Sequence, residues 1–304
     1  MTLLISLIAC GDKDTPSGDS SSGVDVFAEY INVGSTPSTE SGTALTDCYT
    51  PGDDWLDQTP DSSCASEHGF SGTVEDFETG DGVADAELEL YYGDRFVDGG
   101  EDYATTSDPN GDVSGTLMSC TPTTYRVYTD PALDETKITI QSHEVYDWSE
   151  TGELSADFNS VSSTTYNIIP GLLGITVQPG QGIIAGTALG CGGDGDPIMG
   201  AQVIVRDADS GEYLTDYTVK YFVEEFPNRD QTETSEDGLW VAVNVPPGRV
   251  TIEMWTYDGS THVLQGETSM DIIPDSINIA NIFTGSGGDN GGVVYPESCL
   301  SSCG

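Results

Sequence analysis

Apolar and polar residues alternate over short stretches along this chain, and each stretch predicts a β-strand. In Ala86-Glu87-Leu88-Glu89-Leu90 the alternation sets Ala86, Leu88 and Leu90 on one face and Glu87 and Glu89 on the other, as in a half-buried antiparallel strand. Gly72-Thr73-Val74 and Thr124-Tyr125-Arg126-Val127-Tyr128 precede and follow it. Gly186-Thr187-Ala188, Ala201-Gln202-Val203-Ile204-Val205 and Val250-Thr251-Ile252-Glu253-Met254 repeat the series. The two series cover residues 69–130 and 183–258. A repeat of this length marks a whole small domain, because a solenoid unit is only ~20–50 residues.

Asn110-Gly111 and Asp237-Gly238 lie between alternating runs and predict hairpins through type I′ turns, whose two central residues need positive φ. Pro246-Pro247-Gly248 predicts a type II turn, with proline fixing φ at its first central position and glycine supplying φ > 0 at the next. The chain is therefore expected to be all-β, folded as two tandem antiparallel β-sandwiches.

The run from Glu236 through Asp237-Gly238-Leu239-Trp240-Val241-Ala242-Val243-Asn244-Val245-Pro246-Pro247-Gly248 to Ile252 resembles the signature of carboxypeptidase regulatory-like, transthyretin-like domains, and Pro197-Ile198-Met199-Gly200-Ala201-Gln202-Val203 resembles that family's earlier strand. The first series keeps Gly82-Val83-Ala84-Asp85-Ala86-Glu87-Leu88 and Asp108-Pro109-Asn110-Gly111, but has Cys120-Thr121-Pro122-Thr123 where the Pro-Pro-Gly turn would stand. The resemblance implies transthyretin-like or Ig-like sandwiches. It implies no activity, because fold does not carry function.

Leu3-Leu4-Ile5-Ser6-Leu7-Ile8-Ala9 is apolar but too short for a span of ~20 helical residues. Its ending, Leu7-Ile8-Ala9-Cys10-Gly11, resembles the lipobox of bacterial lipoproteins, which implies a signal peptide over 1–9 and a lipidated Cys10, although no Lys or Arg precedes the apolar run. The Ser/Gly/Asp-rich residues that follow cannot bury apolar surface and predict a disordered tether over 10–45. The expected location is the bacterial cell envelope, at the outer membrane or cell surface, with lipid as the anchor.

Seven cysteines less Cys10 leave Cys48, Cys64, Cys120, Cys191, Cys299 and Cys303. An even count in an exported chain predicts three disulfides. Cys48 with Cys64 and Cys299 with Cys303 are the first guesses, and Cys120 with Cys191 follows by elimination. A zinc site is disfavoured, since only Cys299 and Cys303 are close and no second pair stands near them.

The chain carries 52 acidic residues against 8 basic ones, for a net charge of -44. Such a surface repels nucleic-acid phosphates and anionic headgroups. A saline habitat, where the Debye length falls to ~3 Å at 1 M salt, is one explanation. Cation binding is the other: Asp108-Pro109-Asn110-Gly111-Asp112 imitates the start of a calcium loop but has Val113 at the sixth position and Ser119 at the twelfth. Asp194-Gly195-Asp196 has the same ambiguity. No cofactor is expected, with calcium the one left open.

His68, His143 and His262 show no triad or metal spacing, His143-Glu144 is half of a zincin pair, and no Gly-x-Ser-x-Gly elbow occurs. The chain is thus expected to be non-enzymatic, with a structural or recognition role in the envelope and another envelope protein as a partner. A carbohydrate-binding module is the alternative. If Leu239, Val241, Val243 and Val245 face the core, Trp240 turns outward, and if Val250, Ile252 and Met254 do, so does Trp255, giving an indole platform for polysaccharide. An accessory subunit of an exported hydrolase is a second alternative.

The organisation expected is a Cys-bounded loop over 46–66, sandwiches over 67–150 and 183–284 with a connector over 151–182, and a Gly/Cys tail over 285–304. Within the connector, Ile168-Ile169-Pro170-Gly171-Leu172-Leu173-Gly174-Ile175 is too apolar for a free linker and is expected to pack between the sandwiches.

Overall fold

A computed structural model describes residues 65–93, 95–119, 121–133, 135–146, 153–190, 197–257 and 262–283. Among these the chain is nearly all β. The first series of strands is β1 (Glu67–Asp76), β2 (Glu87–Tyr92), β3 (Tyr103–Thr106), β4 (Asp112–Met118), β5 (Pro122–Tyr128), β6 (Thr136–Val145), β7 (Glu153–Ser155) and β8 (Phe158–Ser162). The helix α1 (Ser163–Leu173) follows. The second series is β9 (Gly182–Leu189), β10 (Gln202–Asp207), β11 (Thr218–Val223), β12 (Phe226–Asn228), β13 (Leu239–Val245), β14 (Gly248–Tyr257), β15 (His262–Ile272), β16 (Ser276–Ile279) and β17 (Ile282–Phe283).

Each series folds as a two-layer sandwich. In the first, the layer β3-β2-β5-β6 faces β4-β1, with β7 and β8 parallel to β1. Phe70, Val74, Leu88, Leu90, Leu117, Tyr125 and Phe158 fill the space between. In the second, β12-β11-β13-β9 faces β10-β14-β15 around Ile184, Val203, Val205, Trp240, Ile252, Met254 and Ile272. Successive side chains leave opposite faces of a strand, so these residues share the inner faces of their layers.

The repeat extends to single hydrogen bonds. The Ala86 N–H donates to Ser107 Oγ (2.9 Å), which donates to the Val83 carbonyl (2.6 Å). In the second sandwich the Ala201 N–H donates to Thr234 Oγ1 (2.8 Å), which donates to the Ile198 carbonyl (2.6 Å). A Cβ on Gly72 would collide with the Ala156 carbonyl oxygen, and one on Gly186 with that of Ala280. These glycines let the parallel strand that follows each helix-free crossover approach β1 or β9 closely.

The turns correct the sequence reading. Asn110-Gly111 and Asp237-Gly238 are not type I′ hairpins, because only Gly111 (φ 87°) and Gly238 (φ 66°) have positive φ. They carry the chain into β4 and β13, where the Val74 and Ala188 N–H groups bond to the glycine carbonyls. The pair with two positive φ values is Glu224 (50°) and Glu225 (65°), at the β11–β12 hairpin. Its carboxylates gave no turn signal.

The two sandwiches share a strand. β16 runs parallel to β9 on one side and parallel to β6 of the first sandwich on the other, so that fourteen strands form one continuous sheet. The expected connector is likewise built into the fold. β7 and β8 belong to the first sandwich, and α1 covers the outer face of β13, with Val161, Tyr166, Leu173, Ile183, Val241, Val243 and Ile277 as a third core. Ser162 caps the helix start by accepting the Thr165 N–H (3.1 Å), and Gly174 ends it in the left-handed region.

Candidate functional site

On the face of β2 and β5 turned away from the first core, Glu89 is 8 % exposed and pairs with Arg126 directly across the strands. Arg126 Nε donates to Glu89 Oε2 at 2.7 Å, Tyr91 donates to the same oxygen at 2.5 Å, and Tyr128 donates to Oε1 at 3.0 Å. Phe96 and Tyr128 stack on the guanidinium at 4.6 and 4.8 Å. Burial and the bond to Glu89 push the Tyr128 phenol up to about 12, and raise Tyr91 further. Glu89 is therefore a fully solvated-in-protein carboxylate, with three donors replacing water.

The second sandwich holds a counterpart. Glu253 is 4 % exposed and accepts Arg206 Nε at 2.6 Å, Trp255 Nε1 at 2.9 Å and the Tyr213 hydroxyl at 3.1 Å. Arg206 also donates to Glu267 at 3.0 Å. Burial pulls the Arg206 pKa down, but its bonds to Glu253 and Glu267 outweigh this and leave it raised. In the strand registers Arg126 and Glu253 occupy the same place, as do Tyr91 and Arg206, and Tyr128 and Trp255.

The remaining described cations are also engaged. Arg95 and Arg249 both reach Asp271 (3.2 and 3.5 Å), Arg229 donates to the Leu172 and Gly171 carbonyls at the end of α1, Lys220 donates to the Arg229 carbonyl, and Lys137 lies 5.8 Å from the Tyr166 ring. With the described cations engaged in these bonds, the charge left over on the described surface is carboxylate.

The platform expected from Trp240 and Trp255 is not formed. Trp240 is 1 % exposed and stands in the second core, while Val241 and Val243 lie under α1. The expected faces are reversed: Trp240 and Ala242 point into the sandwich core and Val241 and Val243 to the other side, and an irregularity between Val243 and Val245 returns Val245 to the core, so that both faces of β13 are covered. Trp255, on the opposite layer, is partly exposed with its N–H on Glu253. Sequence reasoning missed the Glu89 and Glu253 clusters because strand alternation assigns such residues to water; the signal was a rare arginine facing a carboxylate in a chain with few cations.

The Asp108 carboxylate accepts the Asn110 and Asp112 N–H groups (2.7 and 3.0 Å), which makes it a turn-forming side chain. Among the described residues no group of three or more His, Cys, Asp or Glu side chains is arranged to hold a metal ion. His68 bonds Ser66, and His143 Nε2 lies 2.6 Å from the Ser269 carbonyl across the junction of the sandwiches. Cys10, Cys48, Cys64, Cys120, Cys191, Cys299, Cys303 and Asp194-Gly195-Asp196 lie outside the described residues. Among the described residues no helix is long and apolar enough to cross a membrane.

No family model matches the chain, and no curated protein does. Among solved structures, similarity is found to the Bacillus anthracis TIE protein, with 15 % identity over 72 % of this chain and 34 % of that one and a TM-score of 0.24. The chain thus spans about a third of that protein's length. It is also similar to the shaft pilin SpaA of Lactobacillus rhamnosus GG (7 % identity, 72 % and 98 % covered, TM-score 0.24). A third similarity is to GBS52, the minor pilin of Streptococcus agalactiae (9 % identity, 71 % and 96 % covered, TM-score 0.23).

Proposed function

We propose that this chain is a non-enzymatic, lipid-anchored protein of the bacterial cell envelope, whose two sandwiches act as one stiff structural or recognition element. The observation that carries the reading is β16, hydrogen-bonded both to β9 of its own sandwich and to β6 of the other. Domains joined only by a linker and a modest interface move relative to each other by default. A strand laddered on both sides opposes that, because rotation at the junction would break backbone bonds in a buried sheet. Asp271, gripped by Arg95 of the first sandwich and Arg249 of the second, adds a charged tie at the same place. Cys10, lipidated after removal of a signal peptide over 1–9, supplies the anchor, and the acidic body keeps the element off anionic headgroups.

Polysaccharide binding and service to an exported hydrolase are the alternatives. The first gains nothing from Trp240, which is buried. Two measurements test the main reading. Cys10→Ser should leave the chain unprocessed or release it from membranes, and its retention there at mature size would contradict the anchor. The wild type should unfold in one thermal transition and Ile277→Pro, which removes an N–H from β16, in two. Two transitions in the wild type would contradict the stiff unit.

A further inference from the structure

Strand directions bring the cysteines of this chain to one end of the body. β16 runs parallel to both β6 and β9, β6 opposes β8, and β8 runs parallel to β1, so β9 points against β1 and ends where β1 begins. β4 ends there too, and so does β17, which is parallel to β9. Cys64 directly precedes Ala65 ahead of β1, Cys120 stands between Ser119 and Thr121 in the turn from β4 to β5, Cys191 follows Gly190 after β9, and Cys299 and Cys303 come after β17. The turns at the opposite end hold no cysteine.

The closest approach among these positions is between β1 and β4. Their ladder reaches Glu67 opposite Met118, and one residue beyond it the Ser119 N–H still donates to the Ser66 carbonyl at 3.0 Å, with the two hydroxyl oxygens 3.4 Å apart. One further step in this register brings Ala65 opposite Cys120, with Cys64 next to Ala65. At ladder spacings a residue one place off a directly opposed pair has its Cα about 6 Å from the facing strand's residue, within the roughly 4.4–6.8 Å that a disulfide spans. Neither cysteine belongs to β1 or β4, so strand alternation does not hold the two on opposite faces. Cys191 is the more distant candidate, because β16 and β6 stand between β9 and β5, a separation of three strand spacings or about 14 Å.

We propose that Cys64 and Cys120 form a disulfide that staples the entry of the chain to the turn between β4 and β5. This pairing differs from the two expected from spacing, Cys48 with Cys64 and Cys120 with Cys191. As the S–S bond forms, the two thiols give up two protons and two electrons, which the disulfide of an exported thiol oxidoreductase takes up in becoming a dithiol. The envelope reading enters only through its oxidising surroundings; lipidation of Cys10 is not needed. The Ser66–Ser119 bond is the first to break when the start of β1 frays. A covalent link just outside it keeps that end shut where the tether joins the body.

The test is disulfide mapping of the full chain exported to an oxidising compartment, with free thiols alkylated under denaturing conditions and the unreduced protein cut after Asp and Glu. Mass spectrometry should find the Cys64 peptide joined to the Cys120 peptide, and reduction should separate them. Cys64→Ser and Cys120→Ser should each lower the melting temperature by roughly 5–15 °C, and the double variant should melt no lower than either one. Cys10→Ser should keep the linked peptides wherever that variant is located, which separates this proposal from the anchor. Cys64 joined to Cys48, Cys120 joined to Cys191, alkylation of both as free thiols, or a double variant whose loss equals the sum of the single ones would each overturn the proposal.

Discussion

The two sandwiches share a hydrogen-bond plan but differ in what surrounds it. The strand after β2, β3, stays beside it in the same layer, whereas the strand after β10 crosses to the other layer, where β11 pairs with β13. The Ser107 and Thr234 hydroxyls, the Gly72 and Gly186 contacts and the turns at Gly111 and Gly238 are the same in both. The buried ion pairs share one position with the charge reversed, Arg126 standing where Glu253 stands, but their partners differ in place, because Glu89 aligns with Ile204 and Arg206 with Tyr91. What the two sandwiches have in common besides their cores is thus a few contacts directed at the backbone. Edge strands and outer-face charges vary as long as the sheet stays covered and each buried charge keeps a partner.

If that is correct, the largest loss should come from the shared contacts. Gly72→Ala and Gly186→Ala each drive a methyl group into a backbone carbonyl, and both should cost more than ~3 kcal/mol, the usual upper end for overpacking. Soluble, cooperatively folding protein from either variant would break the equivalence. Next is a matched position where the two sandwiches differ in side-chain volume. Val113 and Trp240 each stand two residues beyond the matched turn glycine, and both are buried. Trp240→Ala should lose about 3–5 kcal/mol and Val113→Ala about 1–3 kcal/mol in denaturant melts.

A smaller and matched effect is expected for the hydroxyls. Ser107→Ala and Thr234→Ala orphan the Ala86 and Ala201 N–H groups, at about 1–3 kcal/mol each. Unequal losses would show that one sandwich has a substitute partner. The smallest effect is in pH. Burial raises the Glu144 pKa above the ordinary carboxylate value, opposed by the bond from Gln141. A carboxyl raised in the folded state binds its proton more tightly there than in the unfolded chain. Its stabilising contribution is complete below the unfolded value and is lost as pH rises through the folded one. Glu144→Gln should therefore raise the melting temperature at pH 7 and leave it nearly unchanged at pH 4. An equal rise at both would assign the effect to packing.

The sequence by itself determined the all-β class, the two-fold repeat and the inward faces of β2 and β14, because strand periodicity is a local property and both copies write it in the same order. The surplus of carboxylates was legible too, as was the misfit of the apolar stretch around Ile168 as a linker. Tertiary structure decided everything that depends on what covers a face. Trp240 reads as outward until α1 roofs the other side of β13, and Glu89 reads as solvated until Arg126, Tyr91 and Tyr128 close on it. The path of β16 was equally out of reach, since a strand's partners are set by which open edges the rest of the chain brings within bonding distance, and β6 lies more than a hundred residues earlier.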